Sequence, residues 1–314
     1  MKKMRQVFAD TMLEVGSVDP SLVVMVGDIS HGILTPFASA HPDRYYNVGI
    51  CEPTIVGMAS GISKVGLTPV VHTIAPFIIE RSYEQIKLDF GYQQLKGNFI
   101  SVGSAFDYSQ LGCSHHCYTD ISLMSHFANG QVFFPSSPIE FELLFREAYS
   151  EERKINYFRL PERTHGVTFS ADDVAVGKGI QVTEGTSLTC VVIGPLLKNA
   201  LEAYSTLSLK GISMEILYFP TIKPLDHTLL LKSLKKTSNV LVIEEASSRD
   251  GIFNAVLQAS HHLGNIRYDS IAITDFVYGY GSYETLLEKC NMHPEGIVHH
   301  AEKLVSNQSA LASV

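Results

Sequence analysis

Short apolar runs rich in β-branched residues recur along this chain, each closed by a turn and followed by a segment of helical periodicity. The clearest is Ser21-Leu22-Val23-Val24-Met25-Val26, which ends at Gly27-Asp28. A run apolar at consecutive positions has no solvated face, so it reads as a strand covered on both sides, as in a parallel sheet. Val48-Gly49-Ile50-Cys51, 68–74, 98–102, 131–134 and 156–160 read as further strands. Helical spacing predicts helices over 6–15, 53–65, 82–91, 120–126 and 138–151. The stretch from Thr164 to Gly179 is polar and turn-rich, with Asp172-Asp173. Beyond it strands are expected at 188–194, 213–218, 240–245 and 270–273, with helices at 197–207, 225–235 and 252–263. The expectation is an α/β protein of two doubly wound domains, 1–165 and a smaller 179–314, joined by a linker at 166–178. A length of 314 residues is enough for two separate cores.

Ligands of open α/β sheets bind at the carboxyl ends of strands. Two such ends carry chemistry. Asp28, Ser30 and His31 follow the first strand, though Asp28 reads equally well as a turn cap. Glu52 sits where Val48-Gly49-Ile50-Cys51 gives way to a small-residue helix. A helix N-terminus favours the anion, and apolar neighbours (here Ile50, Cys51, Ile55 and Val56) favour the neutral acid. A carboxyl group under both influences is a candidate acid–base group, although first-turn Glu is also ordinary. Gly57 and Gly61 share one helical face and suit either a facing helix or internal packing.

Composition excludes several classes. A net charge of −8 does not supply the basic face of non-specific nucleic-acid binding. No apolar run reaches membrane-spanning length, and the N-terminal stretch lacks a signal-peptide core. Five irregularly spaced cysteines fit free thiols, so a cytoplasmic location is expected. Cys113, Cys117, His115 and His116 lie close together, but further ligands at zinc spacing are absent, and no metal site is expected.

Asn47-Val48-Gly49-Ile50-Cys51-Glu52 resembles the glutamate motif of transketolases and their thiamine diphosphate relatives. Ala75-Pro76-Phe77, Arg81-Ser82-Tyr83-Glu84-Gln85-Ile86, Gly112-Cys113-Ser114-His115-His116 and Gly279-Tyr280-Gly281-Ser282-Tyr283 follow in that family's order. The resemblance spans nearly the whole chain but covers only the C-terminal half of a full-length transketolase. It implies a pyrimidine-binding domain followed by a transketolase C-terminal-like domain. It also implies that Glu52 hydrogen-bonds the pyrimidine, with Phe77, Ile74, Asp28 and Tyr83 at the cofactor. Ile74 stands where many relatives carry a second aromatic. His115, Arg159, Ser30 and His31 would meet the sugar, with Arg159 gripping a phosphate or other anionic end.

Family members hold thiamine diphosphate through Mg2+ and a Gly-Asp-Gly motif with a later Asn. This chain contains no Gly-Asp-Gly; Gly27-Asp28-Ile29 lacks the second glycine. The resemblance therefore implies a separate subunit carrying that motif, in an assembly of two copies of each chain. The expected activity is transfer of a two-carbon ketol unit from a ketose to an aldose. The alternatives are a 1-deoxyxylulose-5-phosphate synthase-like protein, a 2-oxo acid dehydrogenase β-like subunit, or a non-catalytic assembly subunit.

Overall fold

A computed structural model describes residues 2–311. The first six strands are β1 (Leu22–Val26), β2 (Tyr45–Asn47), β3 (Thr68–Ile74), β4 (Gly97–Val102), β5 (Gly130–Phe133) and β6 (Ile155–Leu160). The remaining six are β7 (Ile180–Gln181), β8 (Leu188–Val192), β9 (Met214–Tyr218), β10 (Thr221–Lys223), β11 (Asn239–Ser247) and β12 (Arg267–Ile273). They form one seven-stranded sheet, β10-β5-β6-β4-β3-β1-β2, and one five-stranded sheet, β12-β11-β8-β9-β7. Every pairing is parallel except those of β10 and β7. This is the doubly wound arrangement that the alternating pattern predicts.

The first sheet is covered on both faces because its inner strands are apolar on both. Phe8 and Met12 of α1 (Met4–Val18) and the later Phe141 and Phe145 bury one face. The short α2 (Thr35–Ala40) follows β1. Ile55 and Val56 of α3 (Glu52–Lys64) and Phe90 bury the other. A short α4 (Tyr83–Gln85) continues as a π-helical turn over Ile86–Tyr92, where a continuous helix is expected from sequence. The domain's remaining helices are α5 (Asp120–Ser125) and α6 (Pro138–Ala148).

The second sheet carries α7 (Leu197–Leu209), α8 (His227–Thr237), α9 (Ile252–Ser260), α10 (Tyr283–Lys289) and α11 (Pro294–Leu311). Among the described residues no helix is long and apolar enough to cross a membrane.

One expectation changes, and two features add to the others. Val48-Gly49-Ile50-Cys51 is not a strand: β2 precedes it at the sheet edge, and Gly49 (φ +82°) turns the chain away. Ile50 is 69% exposed and Cys51 is exposed, so the apolar cover of Glu52 comes from the helix side. The expected linker at 166–178 packs against the second domain. Phe169 stacks on Tyr218 at 5.6 Å, and Ser170 and Asp173 cap a 3-10 turn. A strand from beyond the linker also joins the first sheet. β10 lies beyond the linker, yet it pairs antiparallel with β5 of the first sheet, and Phe134 N–H donates to Pro220 O.

Glu244, on β11, is buried and receives the N–H groups of Ile252 and Phe253 at the start of α9. Burial outweighs those bonds and pushes its carboxyl up to about 7. A raised folded-state value means that the ionised form opposes folding. The penalty is absent below the unfolded value of 4.5 and full above about 7. Glu244→Gln should therefore gain stability on wild type by about 2–3 kcal/mol between pH 5 and pH 8. Urea denaturation at the two pH values checks this; a pH-independent difference contradicts it.

Candidate functional site

Glu52 begins α3, directly after the turn that Gly49 makes off the sheet edge. Ile55 and Val56, one turn on, are drawn into the core, which pulls the first turn inward. Glu52 is 1% exposed as a result. Its Oε2 accepts from Arg81 Nη1 at 2.7 Å, whereas Oε1 is buried without a partner. A buried carboxylate oxygen left unsatisfied costs about 1–3 kcal/mol, and such groups call for a ligand or a functional role.

Arg81 reaches Glu52 because the backbone between Pro76 and Glu80 makes a π-helical turn, closed by Arg81 N–H to Pro76 O. Such turns occur often at functional sites. The widened turn lays the Arg81 guanidinium over the Phe77 ring, 4.2 Å from its centroid. His115 meets the same ring edge-on at 5.1 Å. Burial first, and the Arg81 charge second, push the His115 ring down from its ordinary value, which favours neutral imidazole. Glu52, Arg81, Phe77 and His115 thus form one chain of contacts, with exposed Ile50 and Cys51 at its outer edge. Together they offer an acceptor oxygen, an aromatic face and a neutral imidazole.

The loop after β1 stands beside it in the sheet order. Asp28 (φ +55°) and Ser30 (φ +59°) both occupy the left-handed region, which non-glycine residues enter rarely. Asn47, at the end of β2, holds the loop: its Oδ1 accepts from Asp28 N–H and its Nδ2 donates to Asp28 Oδ1. His31 is exposed, with Nδ1 4.0 Å from Asp28 Oδ1. Ser30 Oγ lies 2.9 Å from Nε2 of buried His72. Ile74 ends β3, half-buried.

Two expected site residues lie elsewhere. Arg159 is wholly buried beneath the second domain. Its Nε pairs with Asp120 at 2.9 Å, Nη1 donates to Glu245 O and Nη2 donates to Cys117 O. With these groups engaged and the side chain sealed from solvent, it does not face a substrate, contrary to the phosphate grip that the resemblance implies. Tyr83 packs on Phe127 at 5.5 Å and lines a groove of about 930 Å³ with Leu123, Ile222 and Lys223. None of the Glu52 cluster lines that groove.

In the sequence Arg81 stands out only as part of a motif; its spacing of four from Phe77 is the one signal for a shared face. Gly61 has open space where a Cβ would point, and Gly57 has only Asp89 at 4.0 Å. Internal packing therefore does not explain these glycines. Among the described residues, no group of three or more His, Cys, Asp or Glu could hold a metal ion.

A family model described as the transketolase pyrimidine binding domain matches residues 1–166, and one described as the transketolase C-terminal domain matches 177–297. The chain is 31% identical over 239 residues to one subunit of the apulose-4-phosphate transketolase of Actinobacillus succinogenes, covering 76% of each chain. It is 29% identical over 315 residues to 1-deoxy-D-xylulose-5-phosphate synthase of Heliobacterium modesticaldum. That match takes in 98% of this chain but 48% of the synthase. A solved structure described as a split gene transketolase, inactive beta4 tetramer, superposes with a TM-score of 0.88 at 29% identity, covering 98% of this chain and 99% of that one.

Proposed function

The chain belongs to the transketolase family, and we propose that it is the small subunit of a two-subunit thiamine-diphosphate-dependent transketolase. The observation that carries this reading is the orphaned Oε1 of Glu52, whose other oxygen is joined through Arg81 to the Phe77 ring. Those two groups fit the pyrimidine end of thiamine diphosphate: a buried acceptor for a ring nitrogen and an aromatic face for the ring. When bound, the cofactor supplies the nucleophilic carbon that carries a two-carbon ketol unit from a ketose to an aldose. Arg81 occupies Oε2 of Glu52, which leaves Oε1 to hold or release the proton at the ring nitrogen. Phe77, steadied by Arg81 on its face and His115 on its edge, orients the ring, with Ile74 and Asp28 nearby at the strand ends. His115 orients the sugar, with Ser30 and His31 on the neighbouring loop. Arg159, sealed from solvent, is left out of this reading, and an anionic sugar is supported instead by the sugar phosphates in the relatives' names.

The partner is a second polypeptide that carries the Gly-Asp-Gly motif and the later Asn, and with them Mg2+. The assembly has two copies of each chain. The ligand inventory supports this: Glu52 and Phe77 address only the pyrimidine, and a net charge of −8 repels a diphosphate. The apulose-4-phosphate transketolase relative, itself named as a single subunit, and the split-gene neighbour support it by name. Calorimetry on the isolated chain should detect no tight thiamine diphosphate binding, and mixing with the partner should restore Mg2+-dependent ketol transfer. Micromolar, Mg2+-dependent binding by this chain alone would overturn the split-site reading.

A second reading, a part of a 1-deoxyxylulose-5-phosphate synthase-like enzyme, is favoured by the synthase relative that matches almost this whole chain. Product analysis of the assembled enzyme separates the two: formation of 1-deoxyxylulose 5-phosphate selects the synthase, and ketol exchange between sugars selects the transketolase.

A further inference from the structure

His72, on β3, is buried and stacks on Phe8 at 4.2 Å. Its Nδ1 lies 2.8 Å from the carbonyl oxygen of Ile100 on the adjacent strand. A carbonyl can only accept, so Nδ1 carries a proton. In the neutral ring Nε2 is then a bare acceptor. Burial pushes this ring down to about 4, so it is neutral at physiological pH. The atom 2.9 Å from Nε2 is Ser30 Oγ, which must donate its hydrogen inward. Its lone pairs are what remain for a ligand. The strained backbone of Asp28 and Ser30, held by Asn47, fixes the loop in which this happens.

We infer that His72 fixes Ser30 as a hydrogen-bond acceptor, so that the loop after β1 selects a ligand hydroxyl over an anionic oxygen. That Ser30 faces the sugar rests on the reading above. A phosphate or carboxylate oxygen brings further lone pairs and gains nothing from such a serine. A sugar hydroxyl brings the missing hydrogen. His72 is thereby a positioning residue, and Ser30 the contact it sets.

Two measurements test this. In the full chain with 15N-labelled histidine, with His72→Gln used to assign the resonance, the nitrogen shifts of His72 should report the Nδ1–H tautomer at neutral pH. An Nε2–H tautomer overturns the inference. In the assembled enzyme, a ketose donor is compared with hydroxypyruvate, which carries the same transferable head without a polyol tail. Ser30→Ala should raise KM for the ketose more than it lowers kcat. It should also shift the ratio of kcat/KM between the two donors by about fivefold against the ketose, the scale of one neutral hydrogen bond. Ser30→Gly, which tolerates the left-handed backbone and also lacks the hydroxyl, should shift the ratio in the same direction. An unchanged ratio in Ser30→Ala, or in Ser30→Gly, overturns the selection of a hydroxyl. If the assembly transfers no ketol unit, the proposed reaction fails, and the nitrogen spectrum still decides how Ser30 is presented.

Discussion

Glu52→Gln is expected to leave assembly intact and to lower turnover by about 10²–10⁴, the usual range for removing a general acid–base group. Gln keeps the volume of the side chain in a position only 1% exposed, and its carbonyl still accepts from Arg81. The Arg81 side chain is 44% exposed, so the loss of its partner's charge is met by water and stability changes little. What Gln cannot do is hold and release a proton at the oxygen that now lacks a partner. Steady-state turnover of the variant with its partner polypeptide is the measurement. Turnover within a few-fold of wild type would remove Glu52 from the role proposed.

The second large effect falls on stability. Arg159 and Asp120 are both fully buried, and Tyr157 donates its hydroxyl hydrogen to the same carboxylate at 2.5 Å. Removing one member of a buried ion pair strands the other, typically at a cost of about 3–5 kcal/mol. Arg159→Ala also frees the carbonyls of Cys117 and Glu245, one from each domain. A fall in Tm of roughly 10 °C is the expected result. Replacing Arg159 and Asp120 together by leucine should recover part of the loss, since no charge is then stranded. A variant that kept wild-type stability and lost only affinity for a charged sugar would show that the guanidinium turns outward in the working enzyme.

These residues mark what the sequence made legible. Strands buried on both faces, such as β1, β3 and β4, were readable because their apolar residues fall on both faces, although β3 also buries His72 and β4 Asn98. β2 was not, because an edge strand carries half-exposed residues; the strand expected at 48–51 lies beyond it, on the Gly49 turn. β7 and β10 are two and three residues long, and periodicity has no meaning at that length. Glu52 was legible from its place where turn becomes helix. Its contact with Arg81, 29 residues on, was not, because that depends on the π-helical turn at Pro76–Glu80. Arg159 illustrates the limit most directly. Its strand and position were read correctly, but whether a guanidinium at that strand end meets solvent depends on Glu245 and Cys117. Both are brought there by tertiary packing that no local pattern encodes.

The strand that crosses between the domains also sets a timetable. β5 has β6 on one side and β10 on the other, and β10 ends at Lys223. During synthesis the first sheet therefore remains open along β5 until the chain has been made well past the segment at 166–178. Until then β5 presents unpaired N–H and C=O groups, the kind of edge that recruits other chains. Domains emerging from the ribosome usually finish in order, the N-terminal one first. Here the first domain waits for a piece of the second, so a stalled or truncated product ending near residue 200 leaves the ribosome with its larger sheet incomplete.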